Sequence, residues 1–192
     1  MDQIYPDFRH NYLTALHFEE DHGQGRGKPI NEIDASCKIL HDGYACAIMD
    51  GEMEGFPCTP WTVEYNSATG LGFGDKDMIL MADECANNNP GADQCAARAC
   101  MIEGWFVLEA FSLFVSGFGI DPSMRHSEGF DRLEDCPINS DPALKSEKEC
   151  CGAYPIRHTF KTYGGERGCC GVHTYNAQTL TCCEDGSARL NC

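Results

Sequence analysis

Fourteen cysteines in 192 residues constrain this chain more than any other feature. The number is even, and three pairs are adjacent in sequence: Cys150 with Cys151, Cys169 with Cys170, and Cys182 with Cys183. A reducing compartment does not hold that many thiols without a metal, and no C-x-x-C pair occurs to supply the ligand spacing of a zinc or iron–sulfur site. The expectation is therefore an oxidised, extracellular, secreted protein stapled by up to seven disulfides drawn from Cys37, Cys46, Cys58, Cys85, Cys95, Cys100, Cys136, Cys150, Cys151, Cys169, Cys170, Cys182, Cys183 and Cys192. Their connectivity cannot be read from spacing.

Charge divides the chain in two. Residues 147–192 carry five acids (Glu147, Glu149, Glu166, Glu184, Asp185) and five bases (Lys148, Arg157, Lys161, Arg167, Arg189), so the whole net charge of −16 falls on residues 1–146. Such an acidic body repels nucleic acid and anionic membrane surfaces, and it attracts cations, calcium first in an extracellular setting. The plainer reading is a surface that keeps the protein in solution. No apolar run is long enough to span a membrane; the longest, Trp105 to Phe118, is interrupted by Glu109. The opening MDQIYPDFRH lacks the basic and apolar regions of a signal peptide, so either the signal lies outside this numbering or Met1 starts the mature chain.

Texture changes where charge does. Six cysteines are spread through residues 1–135 among helix-like patterns, and eight crowd residues 136–192 with Gly, Tyr and Pro. The stretch CPINSDPALKSEKE, from Cys136 to Glu149, reads as a linker. The fold class expected is mainly α with small β: a disulfide-crossed antiparallel helix pair in an acidic domain, 1–146, followed by a small disulfide-rich β/turn module, 147–192.

A first helix is signalled by Asn31 as N-cap with Glu32 and Asp34 in the first turn, where the helix dipole favours acids. Ile33, Cys37, Leu40, Tyr44 and Ile48 then form one helical stripe. Cys37 and Cys46 fall on opposite sides of such a helix and cannot bond within it. A second long helix is expected from about Ala92 to Phe118, apolar nearly all round its second half. Between them WTVEY alternates like a strand, and Gly70, Gly72 and Gly74 form a loop with no helix behind it to make a phosphate site. Asp75-Lys76-Asp77 is too short for an EF-hand loop. In the tail, CCGAYP, CCGVHTYN and CCEDG repeat a vicinal-cysteine unit, and Glu184 to Gly186 is expected at a hairpin turn. So few residues bury little core, and the staples must supply the stability.

One constellation carries chemistry. His41 and Asp42 stand side by side on the first helix, behind the glycine-rich segment HGQGRGKP. This resembles the calcium loop and first catalytic helix of secreted phospholipases A2, over roughly residues 20–47 together with the two-helix plan through Cys100. The resemblance implies that the backbone carbonyls of Asp21, Gly23 and Gly25 and the carboxylate of Asp42 hold Ca²⁺. It also implies that His41 is the general base, with the metal polarising a phospholipid ester. Cys37 matches the family cysteine four residues before the histidine. The chain departs from the pattern at Lys38, where the family has a second cysteine, at Arg26 in the loop, and in the early Tyr44 and late Cys46. The aspartate that orients the family histidine has no clean counterpart; Asp93 is poorly spaced and Glu103 lies beyond it. The family plan implies staples Cys37–Cys100 and Cys46–Cys95, or Cys46–Cys85. The tail, residues 150–192, is similar to galaxin-type repeats of extracellular matrix proteins, which implies a matrix or assembly role. No G-x-S-x-G motif occurs, and no cysteine is left over for a thiol protease.

Three readings are therefore in view. One is an extracellular structural protein that associates with itself or with other matrix proteins, with calcium as the candidate cofactor. The alternative is a calcium-dependent phospholipase A2, for which phospholipid becomes the substrate. A third reading is a secreted binding module that uses the scaffold to hold a receptor.

Overall fold

The computed structural model describes residues 32–68, 77–116 and 147–192. Outside these lie Asp21, Gly23 and Gly25 of the expected calcium loop, the Asn31 cap, the Gly70–Gly74 loop and Cys136 with most of the expected linker. The described chain is mainly α with small β: helices α1 (Glu32–Glu54), α2 (Met78–Asn88) and α3 (Cys95–Val115), then three two-stranded antiparallel hairpins. These are β1 (Lys148–Cys151) with β2 (His158–Lys161), β3 (Arg167–Cys170) with β4 (His173–Asn176), and β5 (Thr181–Cys182) with β6 (Ala188–Arg189).

Helix α1 follows the expected stripe through Leu40 and Tyr44, but its buried arc then turns to Ala47, Asp50 and Gly51 rather than to Ile48. Small residues cause this. A Cβ on Gly43 would stand 3.1 Å from the side chain of Ile102, so glycine lets α1 and α3 approach closely. Contacts run in opposite order along the two helices: Tyr44 meets Glu103, and Glu54 meets Arg98. The pair is therefore antiparallel. Leu40, Tyr44, Ala47, Cys58, Cys95, Ile102 and Phe106 form the core between them.

Helix α2 was not legible as a helix. Its cap is clear in retrospect: Asp77, the last acid of the Asp75-Lys76-Asp77 run, accepts hydrogen bonds from the Ile79 and Leu80 amides. Met81 and Cys85 pack α2 on α3 in a second core with Cys100 and Leu108. WTVEY is not a strand. Thr62 and Val63 donate their amides to the Thr59 carbonyl in a turn, and the segment serves to carry Tyr65 to α3.

Six disulfides are present among the described residues: Cys46–Cys150, Cys58–Cys95, Cys85–Cys100, Cys151–Cys169, Cys170–Cys182 and Cys183–Cys192. The family-derived staples are corrected. Cys100 sits on the α2-facing side of α3 and bonds Cys85, so it does not reach Cys37. Cys46 bonds Cys150, 104 residues away, because its edge of α1 faces the hairpins rather than α3. Cys95, at the start of α3, meets Cys58 just beyond the end of α1.

In the hairpins each vicinal pair sends one sulfur backward and one forward. The expected turn at Glu184–Gly186 is present: the Gly186 amide donates to the Cys183 carbonyl, and the Cys183 amide to the Ser187 carbonyl. Gly171 heads the β3–β4 turn at φ 61°, and a Cβ there would lie 2.9 Å from the Gly186 carbonyl oxygen. Only glycine allows hairpins two and three to pack this closely.

Candidate functional site at the helix–module seam

Asp42 does not stand alone beside His41. One carboxylate oxygen accepts from Lys38 Nζ at 2.7 Å, one helical turn back, and the other from Thr159 Oγ1 on β2, also at 2.7 Å. The aspartate of the dyad therefore anchors the C-terminal module to α1. His41 is half-buried on the flank of α1, about 100° round from the buried Leu40.

Two turns further on, Asp50 makes the stronger anchor. It is buried, and it accepts from Arg157 Nε at 2.8 Å and from Arg157 Nη2 at 2.9 Å, the forked geometry in which guanidinium and carboxylate match best. Tyr154 Oη donates to the same carboxylate at 2.8 Å, and Arg157 Nη1 closes the loop on the Gly152 carbonyl at 2.6 Å. Arg98 of α3 lies 5.7 Å from the Tyr154 ring centroid and pairs with Glu54 at the end of α1. Beside this cluster runs the Cys46–Cys150 bond. Helix α1, helix α3 and the first hairpin thus share one polar seam, with no buried side-chain polar atom left unpartnered among the described residues.

Burial, then the hydrogen bond to Asp50 and its negative charge, push the Tyr154 hydroxyl far above the ordinary tyrosine range. Burial pulls the Arg157 guanidinium down, but Asp50 more than offsets it. The tyrosine has a measurable consequence. Above about pH 10 an unfolded Tyr154 loses its proton and a folded one keeps it, so alkali favours unfolding. The stability associated with Tyr154 is complete below that pH and declines above it, by at most about 1.4 kcal/mol per pH unit. Urea unfolding followed between about pH 9 and 11 should give a flatter decline for Tyr154→Phe than for the wild type. Identical slopes would remove Tyr154 from the alkaline limb.

Of the carboxylates considered as partners for the histidine, Asp93 is exposed before α3. Glu103 is buried and faces α1, accepting from Tyr44 Oη at 2.8 Å and Tyr65 Oη at 2.6 Å. Two phenolic donors on one carboxylate satisfy a charge that would be costly to bury alone. No cluster of three or more His, Cys, Asp or Glu side chains able to hold a metal occurs among the described residues. No helix among them is long and apolar enough to cross a membrane.

Asp50, Tyr154 and Arg157 carried no signal in the sequence. Their partners are more than 100 residues apart, and nothing local marks a buried aspartate at the end of a helix. No protein-family model, no curated protein and no solved structure matches this chain.

Proposed function

We propose that the chain is an extracellular, disulfide-stapled structural protein that assembles with itself or with other matrix proteins. In this reading the helical scaffold is phospholipase A2-like and the C-terminal module galaxin-like. The observation that carries it is the order of the sulfur bonds. From Cys46 the covalent path runs to Cys150, steps to Cys151, crosses to Cys169, steps to Cys170, crosses to Cys182, steps to Cys183 and ends at Cys192. Each crossing spans 5.4 to 5.7 Å between Cα atoms. With about 3.8 Å for each peptide step, the path from Cys46 to Cys192 is roughly 33 Å long. The same residues fully extended would reach roughly 500 Å. Such a thread resists extension under tension, which suits a protein that bears force between neighbours.

Two further features support the reading. Ile79, Phe114 and Val115 each expose about two-thirds of their surface or more. They lie toward the same end of the α2–α3 pair, since the Cys85–Cys100 bond and the packing of Met81 on Gly104 set the two helices antiparallel. A second copy that covers them would remove apolar surface from water. Asp42, in turn, already has two partners, and calcium at this site would compete with Lys38 and Thr159 for the carboxylate. The many disulfides are compatible with secretion.

Assembly is tested by sedimentation. The oxidised protein should shift to larger species as concentration rises through the micromolar range, and Phe114→Glu should hold it at monomer. A monomer at every concentration, alone and with Ca²⁺ added, would contradict self-association.

Calcium-dependent phospholipase A2 activity is the second reading, and Glu103 is what favours it. A buried carboxylate on α3 meets the dyad-bearing helix through Tyr44, one turn from His41, and is the kind of group that the resemblance calls for. Under that reading His41 is the base, and Asp42, with the carbonyls of Asp21, Gly23 and Gly25, holds the metal.

A further inference from the structure

A shallow bowl of about 360 Å³ opens on the C-terminal module, away from the seam, and is lined by Tyr163, Glu166, Arg167, Thr174, Tyr175 and Asn176. Its volume falls in the range of small-ligand clefts, about 300–1,000 Å³. Hairpin β3–β4 forms one wall, at the end where Arg167 pairs with Asn176. The turn from Thr162 to Glu166 forms the other, closed by the Gly165 and Arg167 amides on the Thr162 carbonyl.

Both tyrosines line the bowl, and Tyr175 is half-buried. Tyr163 is exposed and held at φ 49°, a left-handed conformation that tyrosine rarely adopts, ahead of Gly164 and Gly165 at φ 69° and 92°. Residues held in such conformations collect at ligand clamps. The Tyr175 ring lies across Gly168 of the facing strand, where a Cβ would be only 2.9 Å from ring carbon Cε1. Glycine at 168 therefore lets that ring pass close to the facing strand while Tyr175 lines the bowl.

The polar groups are balanced. Glu166 and Arg167 cancel in charge, so the bowl has no preference for phosphate or for an organic cation. Arg167 uses one nitrogen on Thr174 Oγ1 at 2.8 Å, leaving further N–H groups to donate. Asn176 Oδ1 accepts from the Gln178 amide at 2.9 Å, which turns the two amide protons of Asn176 outward as donors. The Glu166 carboxylate accepts no hydrogen bond among the described residues. The cleft thus offers two aromatic side chains, several donors and one strong acceptor, with no net charge. A pyranose ring matches it: one apolar C–H face to lie on a tyrosine, and a rim of hydroxyls that donate and accept.

We infer that this bowl binds a neutral saccharide, with Tyr163 and Tyr175 as stacking surfaces and Glu166, Arg167 and Asn176 as hydroxyl partners. The site is separate from the helix–module seam, and binding at it does not depend on self-assembly.

The test uses the full oxidised chain, labelled with ¹⁵N, and three probes: tri-N-acetylchitotriose, cellotriose and maltotriose. At least one should shift the amide signals of residues 163–167 and 174–176 in a saturable way, with a Kd between tens of micromolar and about 5 mM. Tyr163→Asn keeps a residue that tolerates the left-handed backbone and removes the ring; it should weaken binding at least about tenfold. Arg167→Gln, at an exposed position, is the second variant and should weaken binding several-fold while the remaining spectrum is unchanged. The inference is overturned by the absence of shifts with all three probes up to about 10 mM, by shifts confined to other residues, or by full affinity in both variants.

Discussion

Replacing Cys46 and Cys150 together by alanine should lower the unfolding free energy by about 4 kcal/mol. A loop of 100 residues closed by one disulfide is worth about 4.7 kcal/mol in chain entropy. The Cys46–Cys150 bond closes 104, but Cys58–Cys95 and Cys85–Cys100 lie inside that loop and shorten it. Cys46 is fully buried, so the lost sulfur adds a small packing defect. For a chain of this size the melting temperature should fall by about 8–16 °C. The same change in Cys183 and Cys192, which are nine residues apart at the end of the chain, should cost clearly less. Urea unfolding of the two double variants checks the ranking; equal losses would show that Cys46–Cys150 is not what fixes the module to α1.

Asp50→Ala is the second large effect. Asp50 is the common acceptor of Arg157 and Tyr154, so its removal strands a guanidinium and a hydroxyl in a half-buried seam. Breaking a buried ion pair from one side costs about 3–5 kcal/mol. Arg157 keeps about a fifth of its side chain in water and retains the Gly152 carbonyl, which puts the expected loss near the lower end, at about 3 kcal/mol. Replacing both partners, Asp50→Leu with Arg157→Met, should recover part of that loss, because no charge is then left unpaired. Losses that simply add would contradict a direct interaction.

The two long helices were legible because the first repeats apolar residues at helical spacing over about four turns, from Ile33 to Ile48, and the second is apolar nearly all round its second half. Helix α2 has three turns and opens with the unbroken apolar run MILM, so periodicity is silent and Asp77 is its one clear mark. WTVEY alternates for a different reason than a strand does: Val63 packs against the α1–α3 core, and Tyr65 reaches Glu103. The oxidised character was legible from cysteine number alone. The pairing was not, because it depends on which edge of a helix faces which later hairpin, and that is decided by packing across 104 residues.

The His41–Asp42 pair shows where sequence stops. Adjacent residues reveal that two groups are available, not what stands opposite them. Asp42 meets Thr159, 117 residues downstream, and Lys38, the residue that replaces a family cysteine. That lysine is a departure from the phospholipase pattern and also a partner for the aspartate the pattern requires. The carboxylate facing α1 from α3 is Glu103, which spacing from Cys100 did not single out.

The structural reading and the hydrolytic one part most cleanly in a vesicle assay. Purified, oxidised protein is incubated with phosphatidylcholine vesicles and millimolar Ca²⁺, and released fatty acid is measured beside His41→Gln and an EDTA control. The expected result is no release above the vesicle background, the same in wild type and variant. Release that EDTA stops and that disappears in His41→Gln would contradict a purely structural role and establish the dyad as catalytic.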